Sequence, residues 1–374
     1  MGAAVVCSSR VRPNDASFHG AREEHQRIDA RGATLRPRRP RLPVTRNTLI
    51  FVTQQVDPEH PVLAATVPKL RALAERFDEV VVLADGAVAG VLPSNCRVHT
   101  YGTASRLGRG ARYTSALASE LRRRPAGVLV HMTPLQAILA APLTRVARVP
   151  LLLWFTHWKP SRTLTAAERL VDTVLTVDRR SFPLDSTKVQ PIGHGIDLSA
   201  FPCGRREPVS RLRVIALGRT SPAKGLETIV RAAALADVDL ELRGPSLTDE
   251  ERAERARLTS LGARFEEPVT YSEVPELLLG KDVFVNNMRE GALDKVVYEA
   301  AATCMPVLAS NSGFDDILPT TLRFPREDAE VLAARLRELA VADRNALGRS
   351  LRDAVEERHS LEHWADEVFA AVTA

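Results

Sequence analysis

An alternation that runs along most of the chain constrains its fold more than any other feature. Short apolar runs rich in Val, Ile and Leu are followed by longer segments whose apolar residues recur at helical spacing. Leu49–Val52, Glu79–Leu83 and Gly127–His131 read as buried strands, with a weaker one at Arg97–Tyr101. Leu63, Val67, Leu70, Ala74 and Phe77 mark the first helix, and Pro134 opens another, where proline suits a helix start. Pro150–Phe155, Thr173–Val177 and Lys188–Ile192 continue the series. Strands that are apolar throughout and separated by helices predict a parallel sheet covered on both faces.

The series breaks over residues 199–212, a Pro- and Arg-containing stretch read as a linker, and then restarts. Arg213–Leu217, Asp239–Arg243, Asp282–Asn286 and Pro306–Ala309 are the next strands. Helices are expected at 225–236, 248–260, 294–303, around Val331–Leu339, and as one amphipathic stretch over 343–373. With 374 residues the chain exceeds what one core usually holds, so two doubly wound halves are expected, at 47–198 and 213–355. In such sheets ligands sit at the carboxyl ends of the strands, which places a binding cleft between the halves.

Charge is distributed unevenly. Residues 1–46 carry ten arginines and four acids, a net of +6, while the remainder nets −1. That segment has no sustained apolar period and no apolar run of the secretory kind, and is read as a disordered basic tail. The body's near-neutral balance and sparse aromatics argue against a nucleic-acid partner. No apolar run approaches the ~20 residues of a membrane span. The four cysteines, Cys7, Cys96, Cys203 and Cys304, form no C-x-x-C pair, so free thiols in a reducing cytoplasm are expected and no local metal cluster is. Over 105–124, Arg106, Arg109, Arg112 and Arg122–Arg124 interleave with Leu107, Tyr113, Leu117 and Leu121. This pattern suits docking on an anionic membrane surface, or a solvated helix face.

The motifs for dinucleotide binding, P-loop phosphate binding and the hydrolase nucleophile elbow do not occur. Three other segments carry polar residues to strand ends. In Leu217-Gly218-Arg219-Thr220-Ser221-Pro222-Ala223-Lys224-Gly225, two cations and a glycine flank a helix start, which suits a diphosphate or a plain solvated turn. In Asn286–Ala301, Glu299 is the one acid on an apolar helix: on a core-facing stripe its carboxylate must be paired or bonded to a ligand, for which ribose hydroxyls are suitable donors, and otherwise it faces solvent with Lys295 as a solvated neighbour. Ile192-Gly193-His194-Gly195-Ile196-Asp197 reads as a tight hinge at the end of the first half.

Together and in this order, "GHGID", "LGR…KG" and "DKVVYEAAATCMPVLASN" resemble the hinge, diphosphate and donor motifs of the retaining nucleotide-sugar glycosyltransferases of the GT-B fold, family four. The resemblance covers about 47–374 and is strongest over 190–312. It implies an α/β fold of two Rossmann-like domains facing a cleft, with a terminal helix at 356–374 crossing back to the first. It implies a hexose transferred from a nucleotide diphosphate sugar to a glycan or lipid-linked acceptor, with no cofactor and no metal, by a cytoplasmic protein that can sit at the inner face of the membrane.

The donor side would comprise Gly218, Arg219, Lys224, Gly244, Val269, Tyr271, Glu290, Gly291, Asp294, Lys295 and Glu299. Among these Arg219 and Lys224 would hold the diphosphate, Glu299 the ribose, and Val269 and Tyr271 the base. The motif's first glutamate falls at Gly291, and Glu290 beside it would take that role. His131 would be the active-site histidine, with Asp57, His60, His157 and His194 on the acceptor side. Gly291, and Met305 ahead of Pro306-Val307, motivate a second reading, a catalytically inactive relative that binds a nucleotide sugar or a partner.

Overall fold

The computed structural model describes residues 47–374; the expected basic tail at 1–46 lies outside them. In the first half the order is β1 (Thr48–Val56), α1 (Thr66–Ala74), β2 (Glu79–Ala87), β3 (Cys96–Thr100), α2 (Arg106–Leu121) and β4 (Gly127–His131). There follow α3 (Pro134–Ala147), β5 (Leu151–Trp154), α4 (Arg162–Leu170), β6 (Thr173–Thr176) and β7 (Val189–Pro191). The second half holds β8 (Arg213–Leu217), α5 (Leu226–Ala236), β9 (Asp239–Arg243), α6 (Asp249–Ser260), β10 (Phe265–Glu266) and α7 (Val274–Leu279). Then come β11 (Val283–Asn286), α8 (Lys295–Ala302), β12 (Val307–Ala309), α9 (Ala329–Val341), α10 (Arg344–His359) and α11 (Leu361–Thr373).

Both sheets are parallel throughout. The first has seven strands in the order 3-2-1-4-5-6-7, the second five in the order 10-9-8-11-12. Strand order therefore reverses between β1 and β4 and between β8 and β11, the two places where loops diverge and a ligand crevice opens. Along β1, residues 48–53 are all buried, and the strand runs on to Val56, past the expected end at Val52. One apolar cluster fills the α2–α4 side of the first sheet, from Ile50, Val52, Val128 and Val130. The other face, with Phe51, Leu129 and Trp154, belongs to a cluster that continues into the second half through Trp364 and Phe284.

The helical stretch expected over 343–373 is broken. Ser360 leaves helical geometry and caps α11 by accepting from His363 N. The element that returns to the first half is therefore Leu361–Thr373, a shorter piece than 356–374. Its Trp364 packs edge-on against Trp154 at 5.6 Å, and its Phe369 lies 5.1 Å from Phe77. Ile196 N donates to His359 O (2.7 Å) and Leu361 N to Ile196 O (2.9 Å), so the helix break and the hinge are one backbone joint. Gly193 is obligatory there: at φ +73° a Cβ would lie 1.9 Å from Arg358 O.

On α2, Tyr113, Leu117 and Leu121 face inward, whereas Leu107 is fully out in solvent. Arg109 pairs with Asp85, while Glu120 collects Arg97 and Arg123. No helix among the described residues is long and apolar enough to cross a membrane.

The expectation of free thiols is wrong for one pair. Cys203 in the linker is disulfide-bonded to Cys304 at the end of α8, with Cα atoms 4.9 Å apart across 101 residues of sequence. Spacing along the chain held no sign of it, because the fold alone brings linker and helix end together. Cys96 keeps its thiol, pushed up to about 11 by burial. Closing a loop of that length restricts the unfolded chain by roughly 4–5 kcal/mol on an entropic account. Denaturant unfolding with and without reductant should show the reduced protein, or Cys203→Ser, destabilised by several kcal/mol. Coincident midpoints would contradict this.

Candidate active site

On the donor side, β8 ends in a turn whose Ser221 accepts from Ala223 N, and Gly225 at φ +55° starts α5. Lys224 is 8% exposed; its ammonium donates to Asp294 Oδ2 at 2.5 Å and to Leu217 O at 3.3 Å. Asn286, at the end of β11, donates to the same Asp294 oxygen at 3.0 Å. Gly218 and Gly244 meet backbone to backbone: a Cβ on Gly244 would lie 2.0 Å from Gly218 O, and one on Gly218 2.7 Å from the Lys224 ammonium. Arg219 leads elsewhere, its guanidinium paired with Glu251 at the start of α6, and it remains half exposed.

Glu299 is 3% exposed, which excludes the solvated alternative for this residue. It is ion-paired to Lys295 one turn earlier and accepts from the Tyr271 hydroxyl at 2.8 Å. Lys295 in turn donates to Tyr271 Oη at 2.5 Å, with its ammonium 4.1 Å above the Tyr271 ring. Burial, and then the charge of Glu299, push the Tyr271 phenol well above its ordinary value, so it stays protonated and donates. Tyr271 is thus tied to the carboxylate, and half-buried Val269 packs against the same core cluster.

Glu290 is exposed, and both its oxygens are engaged by Ser312, through the backbone N–H at 2.9 Å and the hydroxyl at 2.8 Å. Gly291, at φ +78°, abuts the first half: a Cβ would come 3.2 Å from Arg180 O and 3.4 Å from Trp158 Cβ.

In the first half, His131 closes β4 at 7% exposure, stacked 5.5 Å from Phe51, with Nδ1 unpartnered. Burial, and then the neighbouring Lys69, lower it to about 3. His194 sits in the hinge, buried against Tyr298 at 5.4 Å, its Nδ1 likewise unpartnered. Burial holds it well below its usual range. His60 and His157 differ: each spends Nδ1 on backbone N–H groups, of Val62 and Leu63 and of Lys159, and Asp57 Oδ1 accepts from Glu59 N. These three shape the loops after β1 and β5.

A clamp that the sequence did not reveal joins the halves beside these groups. Arg180 donates to Asp315 (2.7 Å) and Ser312 O (3.0 Å), and Arg289 lies 4.4 Å over the Trp158 ring. Its members look like ordinary surface charges until the two loops are set side by side. Lys69, buried on α1, was also missed; the only signal was a lysine among Thr66, Val67 and Leu70 inside an apolar helix face.

The strand order, the double crossing at the hinge and the cleft define a GT-B protein. Sucrose-phosphate synthase from Thermosynechococcus elongatus superposes with a TM-score of 0.67 at 18% identity, covering 87% of this chain and 100% of that one. HepE of Anabaena, in complex with UDP and glucose, gives 0.69 at 16% identity, covering 88% and 100%. Residues 211–341, within the second half, match the family described as Glycosyl transferases group 1. A curated relative, the GDP-mannose-dependent alpha-mannosyltransferase of Mycobacterium tuberculosis (strain CDC 1551 / Oshkosh), is 28% identical over 222 residues, 53% of this chain. The match spans about half of that relative, 55% of its length.

The depressed His131 has a consequence for stability. Its ordinary value is 6.5 and its native value about 3, so the unfolded chain takes up the proton first as pH falls. The stability it contributes is intact above pH 6.5 and is lost between there and about pH 3. Unfolding free energies of wild type and His131→Asn, measured from pH 7.5 to 4, should diverge, the wild type declining more steeply. Parallel profiles would contradict the burial argument.

Proposed function

We propose that the protein is a retaining, metal-independent glycosyltransferase that moves a hexose from a nucleotide diphosphate sugar to a glycan or lipid-linked acceptor. The observation that carries this reading is the buried Tyr271–Glu299–Lys295 cluster set next to the Lys224–Asp294 pair at the crevice end of the second sheet. A nearly inaccessible carboxylate is retained in a core only where it is compensated, and ribose hydroxyls are matching donors for it. The ammonium of Lys224 beside Gly218 suits a diphosphate, and half-exposed Arg219 would swing from buried Glu251, which keeps its hydrogen bonds from Leu247 N and Thr248 N, to join it.

Transfer expels a nucleoside diphosphate, so negative charge grows on the phosphates as the glycosidic bond stretches. Cations fixed beside them lower the barrier, commonly by several kcal/mol. His131, held neutral, offers a hydrogen bond to a sugar hydroxyl without adding a competing charge. Retention follows from same-face attack, in which the departing phosphate takes the acceptor's proton. The clamp of Arg180 on Asp315 would shut the halves over the donor and limit hydrolysis by water.

The relatives suggest the first donors to try: one is named for GDP-mannose and another is bound to UDP and glucose. Release of nucleoside diphosphate from GDP-mannose and UDP-glucose, with an acceptor panel present, is the assay. Lys224→Ala and Glu299→Ala should each cut turnover by about 10²-fold or more while the secondary structure, read by circular dichroism at the assay temperature, is retained. Full turnover in both variants would overturn the assignment. Donor binding without consumption would favour the inactive reading.

A further inference from the structure

Lys69 differs from Lys224 and Lys295, each of which is ion-paired. It is 3% exposed, and among the described residues its ammonium makes no hydrogen bond and no ion pair. The charge instead lies between two indoles, 4.4 Å from the Trp154 ring and 4.6 Å from that of Trp364. Cation–π contacts hold an ammonium in place but leave its N–H groups unsatisfied. Burial, with the field of Lys295 added, lowers its pKa well below the ordinary value.

Several neighbouring polar groups are fully buried without a partner. Thr66 is three residues earlier on α1, hence on the same helix face, and its hydroxyl is buried without a partner. The pairing of Val52 with Val130 sets Thr53 beside His131, and His131 pairs with Trp154, so all three side chains share the face that α1 covers. Thr53 Oγ1 and His131 Nδ1 have no partners, nor has His194 Nδ1 in the adjoining hinge. Lys69 itself reaches the hinge: a Cβ on Gly195 would lie 3.1 Å from its Cε.

Buried polar side chains are nearly always satisfied, by protein, water or ligand. Here one unpaired ammonium, two hydroxyls and two imidazoles gather at the crevice end of one sheet. Lys295, His131 and His194 are the charged or titratable neighbours whose fields couple to Lys69; none is acidic. Several separate donors around one cation match the three or four oxygens of a phosphate better than the two of a carboxylate.

We propose that Lys69, Thr66, Thr53, His131 and His194 form an oxyanion subsite on the first half, and that it receives a phosphate group carried by the acceptor. The inference rests on the reading of this half as the acceptor side. The subsite would be reached when the halves part, since His194 is covered by Tyr298 of α8.

Two carriers of phosphate are distinguished by titrating the full chain with glucose 6-phosphate against glucose, and by pelleting it with phosphatidylcholine vesicles containing phosphatidic acid against the same vesicles containing diacylglycerol. At least a tenfold preference for the phosphorylated member of one pair is expected, and the pair that shows it identifies the carrier. Lys69→Met, which keeps the apolar stem between the indoles, should abolish the preference. Thr66→Val should weaken it severalfold, and it carries the test if Lys69→Met does not fold. Nucleoside diphosphate binding, measured on the same samples, reports the donor side separately and should stay within twofold in Lys69→Met. Absence of any preference in the wild type, or its persistence in a folded Lys69→Met or, failing that, Thr66→Val, would overturn the proposal.

Discussion

The backbone joint between Ile196 and the Ser360 break is what the rest of the structure depends on. Two glycines at positive φ let the chain leave the first sheet close against α10, where a side chain on Gly193 would collide with a carbonyl. Because Ser360 turns the chain there, α10 stays with the second half while α11 lies on the first. The polypeptide thus crosses between halves twice, once in the 199–212 linker and once at this joint. Two crossings define an axis, and the reversal points of both sheets are brought onto one crevice where Gly291 meets Arg180 and Trp158.

Charge within that crevice is organised differently on its two sides. In the second half each donor-side cation has its own acid: Lys224 with Asp294, Lys295 with Glu299, Arg219 with Glu251. Buried pairs of this kind contribute little net stability, since desolvation offsets the attraction. Their value lies in holding charged groups in place until a ligand with complementary groups arrives. In the first half the charge is held by aromatic faces instead, and the imidazoles stay neutral. On the reading proposed above, one side would take a ligand with both anionic and hydroxyl groups, the other a ligand that brings its own anion.

Much of this was legible in the amino-acid order. Runs such as Leu49–Val52 and Val283–Asn286 announce buried parallel strands because burial on both faces removes polar alternation. The turn at Gly218–Gly225 and the lone acid Glu299 stood out because each breaks a local rule, and such breaks concentrate at sites. What stayed hidden depends on distant pairing. The Cys203–Cys304 bond, the engagement of Glu290 by Ser312 and the reach of Arg180 to Asp315 each join segments that only the folded chain makes neighbours. Helical periodicity also continues through Ser360, because the residues on both sides bury apolar faces, on different halves. His60 and His157 looked available by residue type, yet their ring nitrogens serve as local caps.

The central claim, that Lys224 and its neighbours grip a pyrophosphate while Glu299 holds the adjoining ribose, is most directly tested by comparing the affinities of nucleoside diphosphates and monophosphates, with guanine and uracil as bases. The diphosphate of one base should bind at least tenfold more tightly than its monophosphate, with this gap closing in Lys224→Met and both affinities falling together in Glu299→Gln. Equal affinities in the wild type, or an undiminished gap in Lys224→Met, would contradict the account.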